Sequence, residues 1–240
     1  MLEPVSETVH IQNRKGEKRA GGLRHLVSCL RSYFFFDPLI WLYTVGFGVP
    51  SLVCSLFDRA GTVQHGFARL WARLILVTIG VPVDVIGLEK IDTGKPHIYA
   101  VNHLSAIDVP VLYGCLPFPF RILAKIELFR YPVLGWHLRR SGQIPVDQEN
   151  VRRSARSLGQ AAAAVKQGMP VLIFPEGGRS DDGQLKPFMN GAFYVAIKSQ
   201  VDIVPMALVG TFEVLRMNSF HIMPRRVLIL VGDAIPTAGL

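Results

Sequence analysis

The chain has 240 residues, enough for one to two domains and for a core that needs no disulfide staples. Half of it is hydrophobic and only 18% is charged, with a mean hydropathy of +0.31, which excludes a disordered chain, a coiled coil and a collagen-like repeat. Lys and Arg total 26 against 18 Asp and Glu, and a chain both basic and apolar points to an anionic lipid surface rather than to nucleic acid.

Residues 1–32 form a polar N-terminal tail with Arg14, Lys15, Lys18, Arg19, Arg24 and Arg31 set against Glu3, Glu7 and Glu17. The tail has neither the early apolar run nor the small-residue cleavage site of a secretory signal, and residues 1–20 read as disordered. Composition then flips. The cluster Tyr33-Phe34-Phe35-Phe36 leads into a stretch, Pro38 to Phe57, without a single charge. As a helix this stretch would be about 30 Å long, the thickness of a bilayer core, although Gly46, Gly48 and Pro50 invite a kink. A second apolar segment, Phe67 to Val83, carries Arg69 and Arg73 on its first turns, and its uncharged part is too short to cross. Residues 33–82 are therefore expected to form a membrane-associated helical hairpin that dips into or lies on one leaflet. Its basic flanks place it on the cytoplasmic face. The alternative is a buried helix pair in a soluble core.

From residue 83 to 240 short β-branched runs alternate with helical stretches. Strands are expected at Val83 to Ile86, His97 to Val101, Arg121 to Leu123, Gln143 to Val146, Val171 to Phe174, Ile203 to Leu208 and Val227 to Val231. One helix is expected from about Asp147–Asn150 to Gln167, stopped by Gly168, and another over Gly191 to Gln200. This alternation predicts a layered α/β domain with a mixed or mostly parallel sheet and flanking helices. The cysteines, Cys29, Cys54 and Cys115, form no Cys-x-x-Cys pair and show no histidine at zinc-ligand spacing. They read as buried, inert thiols, and no metal site is expected.

Two clusters carry chemistry. The first strand of the pair runs into Asn102-His103-Leu104-Ser105-Ala106-Ile107-Asp108, and strand ends are where α/β folds hold their sites. At this spacing Asp108 can bond one nitrogen of His103, fix its tautomer and free the other nitrogen as a general base. A structural histidine beside a helix-capping aspartate has the same spacing. The second cluster, Phe174-Pro175-Glu176-Gly177-Gly178-Arg179-Ser180, also follows an apolar run. Its glycines permit a sharp bend, Arg179 offers a planar fork for phosphate, and Glu176 is placed to hold that Arg or a ligand hydroxyl. A turn with a surface salt bridge is the plainer reading.

Taken together, the two clusters resemble the lysophospholipid acyltransferases, of which 1-acylglycerol-3-phosphate acyltransferase is the best-known type. The resemblance runs from about Val83 to the end and includes Lys125-Ile126-Glu127-Leu128, Pro132, Gly135, Gly142, Lys186 to Ala192 and Val204-Pro205. It implies direct acyl transfer from a thioester, acyl-CoA or acyl carrier protein, to the free hydroxyl of a lysophospholipid. No bound cofactor or metal is implied. His103 and Asp108 would be catalytic, and Glu176, Gly177, Arg179 and Lys125 would bind substrate, with Arg121 and Arg130 as weaker candidate cations. The partners implied are the lysolipid, the thioester donor and a membrane surface, with no nucleic acid. Gly178 stands where the family usually has Thr, Asp147 where it has a basic residue and Met189 where it has Lys; these departures bear on which lysolipid is the acceptor. Another lysolipid, such as a lyso-aminolipid, or lipid binding without turnover are the alternatives. A serine hydrolase lacks support, because no Gly-x-Ser-x-Gly elbow occurs.

Overall fold

Seven short strands, each flanked by turn residues, pair into one sheet in this computed structural model, which describes residues 22–58 and 61–240. In chain order they are β1 (Val83–Ile86), β2 (Ile98–Val101), β3 (Arg121–Lys125), β4 (Ile144–Val146), β5 (Val171–Ile173), β6 (Ile203–Val209) and β7 (Val227–Val231). The spatial order is β1-β7-β6-β2-β5-β3-β4, parallel throughout except for the antiparallel β6–β7 pair. The expected strands all form, with ends differing by a residue or two, and the expected layered α/β class is the one observed.

The pleat sorts side chains into two cores. Tyr99 and Val101 of β2 and Leu172 of β5 face α3 (Thr62–Ile79) and α4 (Asp108–Cys115), together with Ile75, Ile79, Leu112 and Phe120. Ile98, Val171 and Ile173 face the other way, against Ala161, Ala162 and Val165 of α6 (Val151–Lys166) and Val195 and Ala196 of α7 (Gly191–Ser199). Burial on both faces explains why the central strands read as continuous apolar runs. Helix α6 matches its expected span. The Asn150 side chain caps it by accepting from the Arg153 N–H, and Gly168 at φ +87° follows its end. Two shorter helices complete the domain, α5 (Leu134–Arg140) and α8 (Thr211–Val214).

The N-terminal segment divides unexpectedly. Helix α1 (Gly22–Arg31) passes through a π turn (Ser32–Phe36) directly into α2 (Asp37–Cys54), so the helix begins inside the stretch expected to be polar tail. The disordered tail expected over residues 1–20 lies outside the described residues. Helix α2 continues through Gly46, Gly48 and Pro50. Gly48 is needed there because a Cβ would collide with Val133 of the segment leading into α5. Most of the apolar surface of this helix is bare, including Phe34, Trp41, Leu42, Val49 and Val53. Among the described residues, His25–Cys54 is the one helix long and apolar enough to cross a membrane. Helix α3, the second arm, instead buries Ala72, Ile75, Leu76 and Ile79 in the α/β core. Its Arg69 and Arg73 donate to the carbonyls of Leu116 and Gly114 at the C-terminal end of α4, a favoured place for cations. Of the three cysteines, expected to be buried, each is half-buried.

The end of β2 is fastened by a side chain. Asn102 Nδ2 donates to the Leu208 carbonyl at 3.0 Å and its Oδ1 accepts from the Leu208 N–H at 2.6 Å, prolonging the β2–β6 ladder by one step. Replacing Asn102 with Ala leaves both Leu208 groups unpaired in a buried setting. It should cost about 1–3 kcal/mol per orphaned group, read by chemical denaturation in detergent.

Candidate active site

Strands β2 and β5 are adjacent and parallel, so the loops at their C-terminal ends open on the same side. Such a crevice is where open α/β sheets take ligands. After β2 the chain turns back on itself, and the Asp108 carboxylate at the first residue of α4 holds that turn closed. Its Oδ2 accepts from His103 Nδ1 at 2.8 Å, from the Leu104 N–H at 2.8 Å and from the Ser105 N–H at 2.9 Å. Asp108 is 0% exposed. Two backbone donors, an imidazole and the helix N-terminus replace the water it has lost. The His103 ring lies flat on Phe174 at 4.0 Å with an interplanar angle of 17°. With Nδ1 committed to Asp108, Nε2 is the nitrogen left for the cleft, to which His103 stays 18% exposed.

The second cluster grips the first by its backbone. Glu176 Oε1 accepts from the His103 N–H at 2.7 Å, and Oε2 accepts from the Lys186 N–H at 2.9 Å. The Ser180 N–H donates to the His103 carbonyl at 3.0 Å. Both polar groups of the His103 backbone are therefore tied to the loop after β5. The expected bond from Glu176 to Arg179 is not made, because both carboxylate oxygens are used by backbone N–H groups. Gly177 sits at φ +72°, a left-handed conformation that favours glycine, with the flexible Met189 side chain against it. Its carbonyl accepts from Gln148 Nε2.

His103, Gly177, Arg179 and Lys125 line one cleft of about 610 Å³. Its apolar wall includes Ile122, Leu128, Leu158, Met189 and Met217, and no carboxylate lines it. Arg179 is half-buried, and among the described residues its guanidinium has no ion-pair partner. Lys125, at the end of β3, is 63% exposed and only 3.8 Å from Glu127. The two weaker candidate cations, Arg121 and Arg130, are placed elsewhere. Arg121 donates to the Gly142 carbonyl, and Arg130 is exposed outside the cleft lining. Arg153 pairs with Asp147 at 3.1 Å, whereas Arg152 and Arg156 are exposed on α6, whose Ser154 and Leu158 face the cleft. Sequence reasoning gave Phe174, Gln148 and Met217 no role. Phe174 lay within the quoted motif, but nothing in spacing marks a ring-stacking partner or a wall residue from a distant loop.

A protein-family model described as Acyltransferase matches residues 82–209, more than half of the chain. The chain belongs to this acyltransferase family. It is 35% identical over 204 residues to a chloroplastic 1-acyl-sn-glycerol-3-phosphate acyltransferase of Brassica napus, covering 84% of this chain and 58% of that protein. It is 34% identical over 217 residues to the 1-acyl-sn-glycerol-3-phosphate acyltransferase of Chlamydomonas reinhardtii, covering 88% and 65%. The chain thus spans about three fifths of the length of these relatives. In fold it is similar to the crystal structure of the 1-acyl-sn-glycerophosphate acyltransferase of Thermotoga maritima, with a TM-score of 0.74 at 24% identity, over 91% of this chain and 88% of that one.

The grip of Glu176 on two N–H donors makes a sharp prediction. Glu176→Gln keeps the shape but turns an NH₂ toward a backbone N–H. A loss of about 1–3 kcal/mol is expected in denaturant unfolding, because one backbone N–H loses its acceptor.

Proposed function

We propose that the protein moves a fatty acyl group from an acyl-thioester to the free hydroxyl of a lysophospholipid, 1-acylglycerol-3-phosphate, giving phosphatidic acid. The observation that carries this reading is one acid-free cleft lined by the His103–Asp108 pair and by Arg179, a cation without a partner among the described residues. The relatives bearing that enzyme name support it.

In this reading His103 Nε2 takes the proton of the acceptor hydroxyl as its oxygen attacks the thioester carbon. Asp108 holds the ring and offsets the positive charge that develops on it. The C–O bond forms, the C–S bond breaks, and the imidazolium returns its proton to the departing thiolate. The acceptor itself is the nucleophile, so no covalent acyl-enzyme is required. The tetrahedral oxyanion needs donors. The N–H groups of His103 and Gly177 are engaged by Glu176 and the Phe174 carbonyl, so neither serves. The N–H groups of Gly178 and Arg179 on the cleft wall take that part. The Arg179 side chain clamps the acceptor phosphate, Lys125 adds a second positive charge at the rim, and the apolar wall shelters acyl chain. Glu176 acts by holding His103, and Gly177 by its left-handed backbone.

The donor in this reading is acyl-CoA or an acyl carrier protein, both presenting the same thioester. In this reading the protein works at the cytoplasmic face of a membrane; the association rests on the bare apolar side of α1, the π turn and α2, where Phe34 is 77% exposed. A helix of this kind lies at or in a bilayer at little cost.

Replacing His103 with Ala should lower kcat/KM by about 10²–10⁴-fold in a purified transfer assay. Activity within about tenfold of wild type would remove the general base. Arg179→Ala should raise KM for the phosphate-bearing acceptor by about 10-fold or more, with a smaller change for a lysolipid lacking a free phosphate. Equal turnover of both acceptors by the wild type would instead favour another lysolipid.

A further inference from the structure

Among the described residues, one group of metal-ligating side chains stands outside the cleft lining, His25 and Cys29 on α1 and His221 in the loop before β7. No zinc site is expected around the cysteines from their spacing in the sequence. The His25-x-x-x-Cys29 spacing is a single helical turn and places both side chains on one face of α1. The third member comes from the far end of the chain, so the group exists only in three dimensions.

The geometry is close to that of a coordination sphere. His25 Nε2 lies 3.6 Å from Cys29 Sγ. An imidazole nitrogen and a thiolate on one tetrahedral zinc, at bonds of about 2.0 and 2.3 Å, stand about 3.6 Å apart. The His221 ring meets that of His25 edge-on, with centroids 5.2 Å apart, and one ligand atom from each of the three lies within 4.8 Å of the others. Cys29 and His221 are half-buried and His25 is exposed, so the group opens to water on one side. Ser28 Oγ is 2.9 Å from His221 Nε2. A hydroxyl on one ring nitrogen orients the other toward a metal, as outer-shell partners commonly do.

We propose that His25, Cys29 and His221 form a zinc site with three protein ligands and water in the fourth position. Two imidazoles and a thiolate suit zinc and not magnesium or calcium, which take oxygen ligands. On binding, the Cys29 thiol gives its proton to water, and no electron moves. The site would rivet α1 to the loop that carries His221. That loop is already tied to α1 by Ser32 Oγ, which accepts from the Ile222 N–H at 3.0 Å. Through Leu215, whose carbonyl accepts from Ser105 Oγ at 2.6 Å, it also touches the turn bearing His103. Zinc would thus stiffen the joint between the apolar helix and the cleft, whatever acceptor the enzyme uses.

The test is titration of the full-length, tag-free protein in detergent with Co²⁺ and then Zn²⁺. One Co²⁺ per chain should bind with a thiolate-to-metal charge-transfer band, which Zn²⁺ displaces. Zn²⁺ should also raise Tm by several degrees. Cys29→Ser should lose both the band and the Tm shift. His25→Gln, at an exposed position where folding is safe, should weaken both. Absence of the band from the wild type would overturn the site. So would a band kept in Cys29→Ser, which would belong to Cys54 or Cys115, or a Zn²⁺-induced Tm shift equal in wild type and both variants.

Discussion

Everything about this site depends on how the backbone of one residue is held. The N–H and carbonyl of His103 are both bonded to the loop after β5, through the Glu176 carboxylate and the Ser180 N–H. A histidine on a turn after a strand would otherwise share the motion of that turn. Here the turn is closed from within by Asp108 and from outside by the neighbouring loop, and the imidazole itself rests on Phe174. The second motif therefore does two things. Its carboxylate holds the His103 backbone, while its arginine lines the cleft. The motif expected to act as one binding device thus divides into two roles.

The charge arrangement follows from the same economy of donors. Asp108 and Glu176 are both buried, at 0% and 7% exposure, which would be costly for unpaired anions. Glu176 accepts an N–H on each oxygen and Asp108 takes three donors on Oδ2, its Oδ1 being buried without a partner among the described residues, and neither residue lines the cleft. The cleft is left with Arg179 and Lys125 as its charged lining, against an apolar wall. Such a surface suits a molecule with a phosphate at one end and a hydrocarbon chain at the other. The departures from the family pattern sit in the same region. Asp147 and Met189 replace basic residues with an anion and a neutral side chain; Asp147 pairs with Arg153, and Met189 lies against Gly177.

The two apolar arms at the N-terminus show how similar compositions take different fates. Helix α2 is apolar on all sides; one side packs on α3 and α5, where Tyr43 meets Thr78, Thr44 meets Trp71 and Ser51 meets His137, and the rest is bare. Helix α3 has a stripe of Ala and Ile that meets the sheet layer, and its arginines cap a neighbouring helix. Hydropathy by itself averages over these faces and treats both arms alike. The partner surface separates them.

The strands, the α6 span and the two motif clusters were legible in the sequence because each is a local pattern: alternation or runs of β-branched residues, an Asn cap, a glycine stop, a His and an Asp one short turn apart. The paired motifs also carried the family resemblance. Only the tertiary structure decided that β5 inserts between β2 and β3, and this insertion brings the two clusters together. It also decided that Glu176 serves His103 and not Arg179, that Phe174 supports the ring, and that His221 reaches Cys29. These are contacts between residues far apart in the chain, fixed by strand order and by competition for buried hydrogen bonds, and no local spacing encodes either.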